Sequence, residues 1–128
     1  MANTTLDLLM AKAEQSKDDK LQIKKFDSKA IGGEIILKKP PLSKFTSLID
    51  EADAADTTYG ALEVNAQMVY ESVPAIKDNF SKLKDAYDVS DPINLVLKIF
   101  EDNLVELQLI VEEITSFYGF ELVGNLKN

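Results

Sequence analysis

Apolar residues recur at helical spacing near the start of the chain, in residues 4–13. They lie three and four residues apart, as on one side of an α-helix, and are Leu6, Leu9, Met10 and Ala13. Thr4 and Asp7 have the spacing of a capping box, in which each side chain bonds the other residue's amide. The pattern predicts a leading helix over residues 1–15. Either it packs on its own domain, or it is an amphipathic segment that docks on a partner.

The next segment changes to a strand-like pattern. Leu21 and Ile23 begin a partial alternation, and the stretch "EIIL" supplies β-branched residues. Gly32 and Gly33 lie between the two runs and can supply the positive φ of a tight turn. We therefore predict a β-hairpin over residues 21–39, ended by two prolines.

Helical spacing returns after the prolines and predicts a helical bundle over residues 42–120. Its first helix is expected to begin near Leu42 or Ser43, with Ser43 as the N-cap. The buried side of that helix is predicted to carry Phe45, Leu48, Ile49 and Ala52. A second helix follows and ends or kinks at Pro74, because proline lacks the amide hydrogen that a helix interior needs.

The last two predicted helices are the most apolar part of the chain. The stretch "PINLVLKIF" is apolar nearly all round and should be buried. One row of the final helix contains Leu104, Leu107, Val111, Ile114 and Tyr118, widened by Ile110 and Phe117. Glu106, Glu112 and Glu113 are expected to point elsewhere, and Gly119 is expected to end the helix in a left-handed conformation. Residues 121–128 are predicted to form a loose tail. Together the predicted elements make residues 1–128 one mainly α (α+β) domain.

Charge and composition narrow the function. The net charge is −8, and it is uneven, with +3 in residues 1–44 and −11 in residues 45–128. Such a surface repels a phosphate backbone, and the chain has no arginine, so we expect no nucleic-acid binding. No apolar run is long enough for a membrane span, and the start does not resemble a signal peptide.

The available side chains also restrict catalysis. The absence of histidine and cysteine removes the usual nucleophilic dyads and triads and the best zinc ligands. The remaining carboxylates form no distinctive motif, so we expect no enzymatic activity and no cofactor or metal. The acidic cluster Asp50, Glu51, Asp53 and Asp56 is interpreted as a solvated helix end.

Asp85, Asp88 and Asp91 recur every third residue and invite the interpretation of a cation site. A calcium loop instead needs ligands at alternating positions, a glycine at the turn and a glutamate at the twelfth position. We favour helix punctuation. Asp91 or Ser90 would be the N-cap of the next helix, with Pro92 in its first turn.

The order of motifs in the C-terminal half resembles a known family. The stretch "LKDAYDVSDPINLVLKIFEDNLVELQLIVEEITSFYGF" is similar to the C-terminal signature of phage tail assembly chaperones, of the type encoded upstream of the tape-measure gene in phages and prophages of Gram-positive bacteria. The matching positions are Leu83, Tyr87, Asp91-Pro92, Leu95-Val96, Leu107 and Gly119-Phe120. The chain departs from the pattern at "FEDNLVEL", where a small Pro-Gly-Glu-like break is expected.

The resemblance implies a non-enzymatic protein that coats and solubilises the tape-measure protein in the host bacterial cytoplasm and is absent from the mature virion. It further implies contact with the tail tube protein and a longer frameshifted form of the chain. A homo-oligomer is a further candidate assembly, and the sequence does not determine the oligomeric state. Codons AAA-AAC for Lys127-Asn128 could form part of a slippery site. The competing hypotheses are a structural virion, tail-completion or adaptor protein, and an acidic regulatory binding protein.

The candidate partner-binding residues lie on the first and last predicted helices. They are Leu6, Leu9, Met10, Leu104, Leu107, Val111, Ile114, Phe117, Tyr118 and Phe120. Apolar faces of these helices would cover apolar stripes of a helical client, and the acidic surface would keep the complex soluble.

Overall fold

The computed structural model describes residues 4–16 and 22–119. In these ranges the chain is mainly helical, with a two-stranded antiparallel hairpin near the N-terminus, which confirms the predicted fold class. The elements are α1 (Thr5–Ser16), β1 (Ile23–Ser28), β2 (Gly33–Lys38), α2 (Leu42–Ala54), α3 (Thr58–Ser72), α4 (Pro74–Lys77), α5 (Phe80–Tyr87), α6 (Pro92–Phe100) and α7 (Val105–Ser116).

The leading helix α1 begins with the predicted capping box. The Thr4 amide donates to Asp7 Oδ2 at 3.3 Å, and the Asp7 amide donates to Thr4 Oγ1 at 3.1 Å. These bonds satisfy two of the amides that a helix start leaves without partners. The start of α1 is therefore determined by local sequence.

The hairpin turns where the glycine pair predicted it. Ser28 pairs with Gly33 across the strands, and Gly32 supplies the left-handed conformation at φ +89°, while Gly33 begins β2. Phe26 from β1 and Ile35 and Leu37 from β2 join the core. Ile23 lies on the outer side of β1, and Leu21 lies outside the described ranges.

The core lies around α3, which packs against α2, α6 and α7. Helix α6 is buried through Leu95, Val96 and Phe100 and half-buried through Ile93, Leu97 and Ile99, as its apolar sequence predicted. Phe45 and Leu48 of α2 are buried, and Ile49 and Ala52 are half-buried, which confirms its predicted stripe. The hairpin reaches the bundle through β2 and α4.

The aspartates from 85 to 91 punctuate helices. Asp91 is the N-cap of α6 and accepts from the Asn94 amide at 2.9 Å, and Pro92 takes the first helical position. Asp88 ends α5 in a left-handed conformation with φ +56°. Asp85 lies within α5. The helix-punctuation interpretation is therefore confirmed for Asp88, which ends α5, and for Asp91, which begins α6.

The start of α2 differs from the prediction. The helix begins at Leu42, and Pro41 stands at the N-cap without a side-chain hydrogen bond, so the assignment of Ser43 as N-cap is wrong. Pro41 carries no amide hydrogen, and its restricted φ suits a helix entry. At the other end of the bundle, Gly119 has the predicted left-handed conformation, with φ +82°. It does not directly end α7, because the helix ends at Ser116 with Phe117 as its C-cap, and a turn of shorter-range hydrogen bonds leads to Gly119. Phe120 and residues 121–128 lie outside the described ranges.

Glu106 overturns the prediction that it points away from the core. It is only 3% exposed, at the start of α7. Its Oε1 accepts from Ser28 Oγ at 2.6 Å, and its Oε2 accepts from the amides of Lys29 and Ala30 at 2.8 and 3.0 Å. Asn103 Nδ2 adds a donor at 3.2 Å. A buried carboxylate is tolerated because these donors replace water, and the bonds attach the hairpin turn to α7.

Candidate partner-binding surface

Helix α1 presents the largest group of exposed apolar side chains in the described part of the chain. Every residue from Thr4 to Gln15 is exposed. Leu6, Leu9 and Met10 are 65%, 58% and 60% exposed, and we call these three residues the α1 face. Leu8 adds a fourth exposed apolar side chain on the same helix. An apolar cluster of this kind marks an interaction site more often than a random surface.

The orientation of α1 turns this face away from the rest of the protein. Lys12 and Gln15 line a cleft against the hairpin and α4, so that side of the helix looks toward the body. At about 100° per residue, the α1 face lies on the side turned away from the cleft. The helix is 12 residues long, and isolated helices of this length are marginal in water. A partner that binds the α1 face would therefore also stabilise the helix itself.

The predicted partner-binding row of α7 is divided between the core and the surface. Leu107, Val111 and Ile114 are buried against the bundle, and Phe117 and Tyr118 are half-buried. Leu104 is exposed, and Phe120 is outside the described residues. The three buried side chains have no surface to offer a partner in this conformation, because the bundle uses the same stripe for its own packing. The exposed part of the predicted set is therefore the α1 face with Leu104.

Sequence reasoning missed the outer apolar side chains of α7. Val105 is 66% exposed and Leu109 is 46% exposed, one helical turn apart. The final helix carries apolar residues on both sides, so periodicity alone did not distinguish the buried row from the exposed pair. These two residues make a useful comparison for the α1 face.

A cleft of about 1050 Å³ lies beside α1. Lys12, Lys38, Lys39 and Lys77 line it, and we call it the lysine cleft. Prolines 40, 41 and 74 and the ring of Tyr118 supply apolar walls. The excess of lysine in residues 1–44 was the only sign of it in the sequence, because its walls come from distant segments.

Tyr118 anchors one wall of the lysine cleft. Its ring stacks on Phe45 with centroids 4.5 Å apart, and its hydroxyl donates to the carbonyl of Pro40. Lys39 Nζ lies 4.6 Å from the centre of the same ring, within the range of a cation–π interaction. Burial raises the pKa of the Tyr118 phenol. The ring therefore connects the end of α7 to the segment between the hairpin and α2.

Lys77 also lines the cleft, and it has a close partner. Its Nζ lies 2.6 Å from Glu71 Oε1, and Glu71 Oε2 also accepts from Gln67 at 2.8 Å. The hydrogen bond that Lys77 donates to the Glu71 carboxylate raises the pKa of Lys77 above its usual value. For Lys12 and Lys38, in contrast, no ion pair joins them to another described residue.

The described residues contain no group of three or more acids placed to hold a metal ion, and none of their helices is both long and apolar enough to cross a bilayer. Comparison with protein-family models, with curated proteins and with solved structures found no match for this chain.

Proposed function

We propose that this chain is a non-enzymatic tail assembly chaperone that binds and solubilises a phage tape-measure protein through the α1 face. The observation that carries the proposal is the exposure of Leu6, Leu9 and Met10 on a capped helix turned away from the body. The family resemblance of the C-terminal half supplies the identity of the client.

The chemistry of the α1 face fits a helical client. Leucine and methionine side chains adapt to irregular apolar stripes, and a helix can lie in a groove between client helices. Burying each of these side chains contributes about 2 kcal/mol to binding, so a single α1 helix gives a modest affinity. Several copies along one long client would add by avidity and still be displaceable by tail tube subunits. The charge of −8 would keep such a complex soluble.

Co-expression with a candidate tape-measure protein tests this proposal. We expect this chain to raise the soluble fraction of the client and to co-purify with it from the bacterial cytoplasm. Purified mature tails should lack the chain, because a chaperone leaves before the tube is complete. Finding it in tails in fixed stoichiometry would contradict the chaperone proposal and favour the structural virion or adaptor protein.

The same preparations test the remaining expectations of the resemblance. The nucleotides at codons 126–128 show whether a slip site is present, and the mass of the product shows whether a longer form is made. A complex that forms without raising client solubility would favour an acidic binding protein with another role.

A further inference from the structure

The lysine cleft carries an excess of positive charge, although the protein as a whole is acidic. Lys12 and Lys38 form no ion pair with another described residue, and Lys39 lies over the Tyr118 ring. Glu71 offsets only Lys77, and Asp78 is the other acid that lines the cleft. The cleft therefore favours an acidic occupant, with apolar contact to its proline and tyrosine walls.

The end of α2 has the opposite character. Asp50, Glu51, Asp53 and Asp56 lie on and just beyond its last turns, and all four are exposed. The chain has no lysine from residue 45 to residue 76, and the last turn of α2 contains no basic residue. The helix dipole adds negative potential at this end, so the four carboxylates repel one another and the helix terminus. A positively charged surface packed against these carboxylates would relieve this repulsion. We call these four residues the α2 acidic end.

The two surfaces lie at opposite ends of one helix. Leu42, the first residue of α2, lines the lysine cleft, whereas Ala54 ends the helix next to the acidic residues. At 1.5 Å per residue the two ends are about 18 Å apart. The α2 acidic end therefore cannot enter the cleft of its own chain, and the complementary surface must come from another molecule.

We infer that the lysine cleft of one copy binds the α2 acidic end of a second copy. Because each copy offers one cleft and one acidic end at a distance, the contact is head-to-tail and produces short strings or rings. Overall repulsion between molecules of charge −8 keeps the association weak and reversible. On a long client, such a string would present successive α1 faces.

Charge reversal with a matched control tests the inference by sedimentation velocity over a range of protein concentrations. The wild-type average mass should rise above the 14.2 kDa of one copy as concentration increases. The K12E/K38E variant should remain at the mass of one copy. The K25E/K82E variant changes the net charge by the same amount outside the cleft, so it should associate like the wild type. Circular dichroism melting shows that each variant is folded.

Mixing two variants with opposite charge reversals provides the decisive test. The D50K/D53K variant should also remain at the mass of one copy, because two basic surfaces then face each other. A 1:1 mixture of K12E/K38E with D50K/D53K should recover association, since each surface again meets its opposite. A wild type that stays at 14.2 kDa at all concentrations overturns the inference, as does equal loss in K12E/K38E and K25E/K82E. It is also overturned if the mixture shows no recovery, or if K12E/K38E weakens client binding but leaves self-association unchanged.

Discussion

Ser28 Oγ donates a 2.6 Å hydrogen bond to Glu106 Oε1, joining residues 78 positions apart in the sequence. Both residues are buried, and the same carboxylate also accepts from the amides of Lys29 and Ala30. Ser28 Oγ in turn accepts from the Ile31 amide at 3.1 Å. The hairpin turn is therefore held to the start of α7 by one carboxylate and one hydroxyl.

Removal of this carboxylate should destabilise the fold more than removal of a neighbouring one. Glu106→Ala leaves the Ser28 hydroxyl and two amides without their acceptor, which we expect to lower the free energy of unfolding by about 3 kcal/mol. Ser28→Ala should lower the free energy of unfolding by about 1 kcal/mol, because the amides of Lys29 and Ala30 still donate to the Glu106 carboxylate. Glu112→Ala, on the same helix, is the control and should change it by less than about 0.5 kcal/mol. Urea denaturation measures all three, and equal effects of Glu106→Ala and Glu112→Ala would show that the network contributes nothing.

The glycine pair of the hairpin permits a test of backbone conformation alone. A Cβ at either Gly32 or Gly33 would meet no atom within 4 Å, yet only Gly32 has a positive φ, at +89°. Gly32→Ala should therefore cost about 1 kcal/mol of unfolding free energy, from the left-handed conformation alone. Gly33→Ala should be neutral or slightly stabilising, because it restricts the unfolded chain without strain. Thermal or urea denaturation of the two variants gives the comparison, and equal costs would contradict the assigned turn.

Stability should fall at alkaline pH through Tyr118. Burial raises the pKa of its phenol, whereas the unfolded chain loses this proton near pH 10. Above that pH the unfolded state binds fewer protons than the folded state, so the free energy of unfolding decreases as pH rises. Lys77, whose pKa the Glu71 hydrogen bond raises, adds a contribution of the same sign.

The Tyr118→Phe variant isolates the phenol. Its unfolding free energy should decline less steeply than that of the wild type between about pH 9 and about pH 11. At neutral pH it should show a constant loss of about 1 kcal/mol from the missing hydrogen bond to Pro40. Urea titrations at each pH measure both effects. Identical slopes for the two proteins would mean that the phenol titrates alike in the folded and unfolded chains.

Polar substitution of the α1 face should separate client binding from folding. The L6Q/L9Q/M10Q variant should reduce co-purified tape-measure protein by at least about tenfold, because three apolar side chains are lost from the contact. Its melting temperature should stay close to that of the wild type, since all three side chains are exposed and glutamine is a good helix former.

The control for this experiment is V105Q/L109Q, which removes exposed apolar side chains from a different helix. Pull-down yields of the two variants should differ clearly, with V105Q/L109Q close to the wild type. If V105Q/L109Q loses the client and the α1 variant keeps it, the binding surface lies on α7. Loss in neither variant would remove the α1 face from the proposal.

Local sequence predicted much of the fold, because many of its features depend on neighbouring residues. The Thr4 and Asp7 capping box, the Asp91 cap before Pro92 and the left-handed Gly119 each require only a few consecutive residues. The wrong assignment of Ser43 as the N-cap of α2 also depends on neighbouring residues. Pro41, immediately before the helix, already suits the helix entry, so Ser43, the second residue of the helix, is not needed as a cap.

The candidate surface could be predicted only in part. The apolar pattern of α1 identified Leu6, Leu9 and Met10, but equal periodicity in α7 selected residues that the bundle buries. Hydrophobic spacing reports that a helix has an apolar side, without saying whether the protein itself covers that side. The lysine cleft could not be predicted because its lysines come from α1, the end of β2 and α4.

The sequence by itself determined the helical and hairpin elements, most of their ends, and the acidic character of the chain, since these follow from short-range bonding, periodicity and composition. Tertiary structure alone decided that Glu106 lies in the interior, that the α7 row is core, and that the α1 face remains uncovered. The physical reason is that burial depends on which distant donors and apolar surfaces fold against a residue. Glu106 is stable inside because a turn 78 residues away supplies its hydrogen bonds, and no local pattern contains that information.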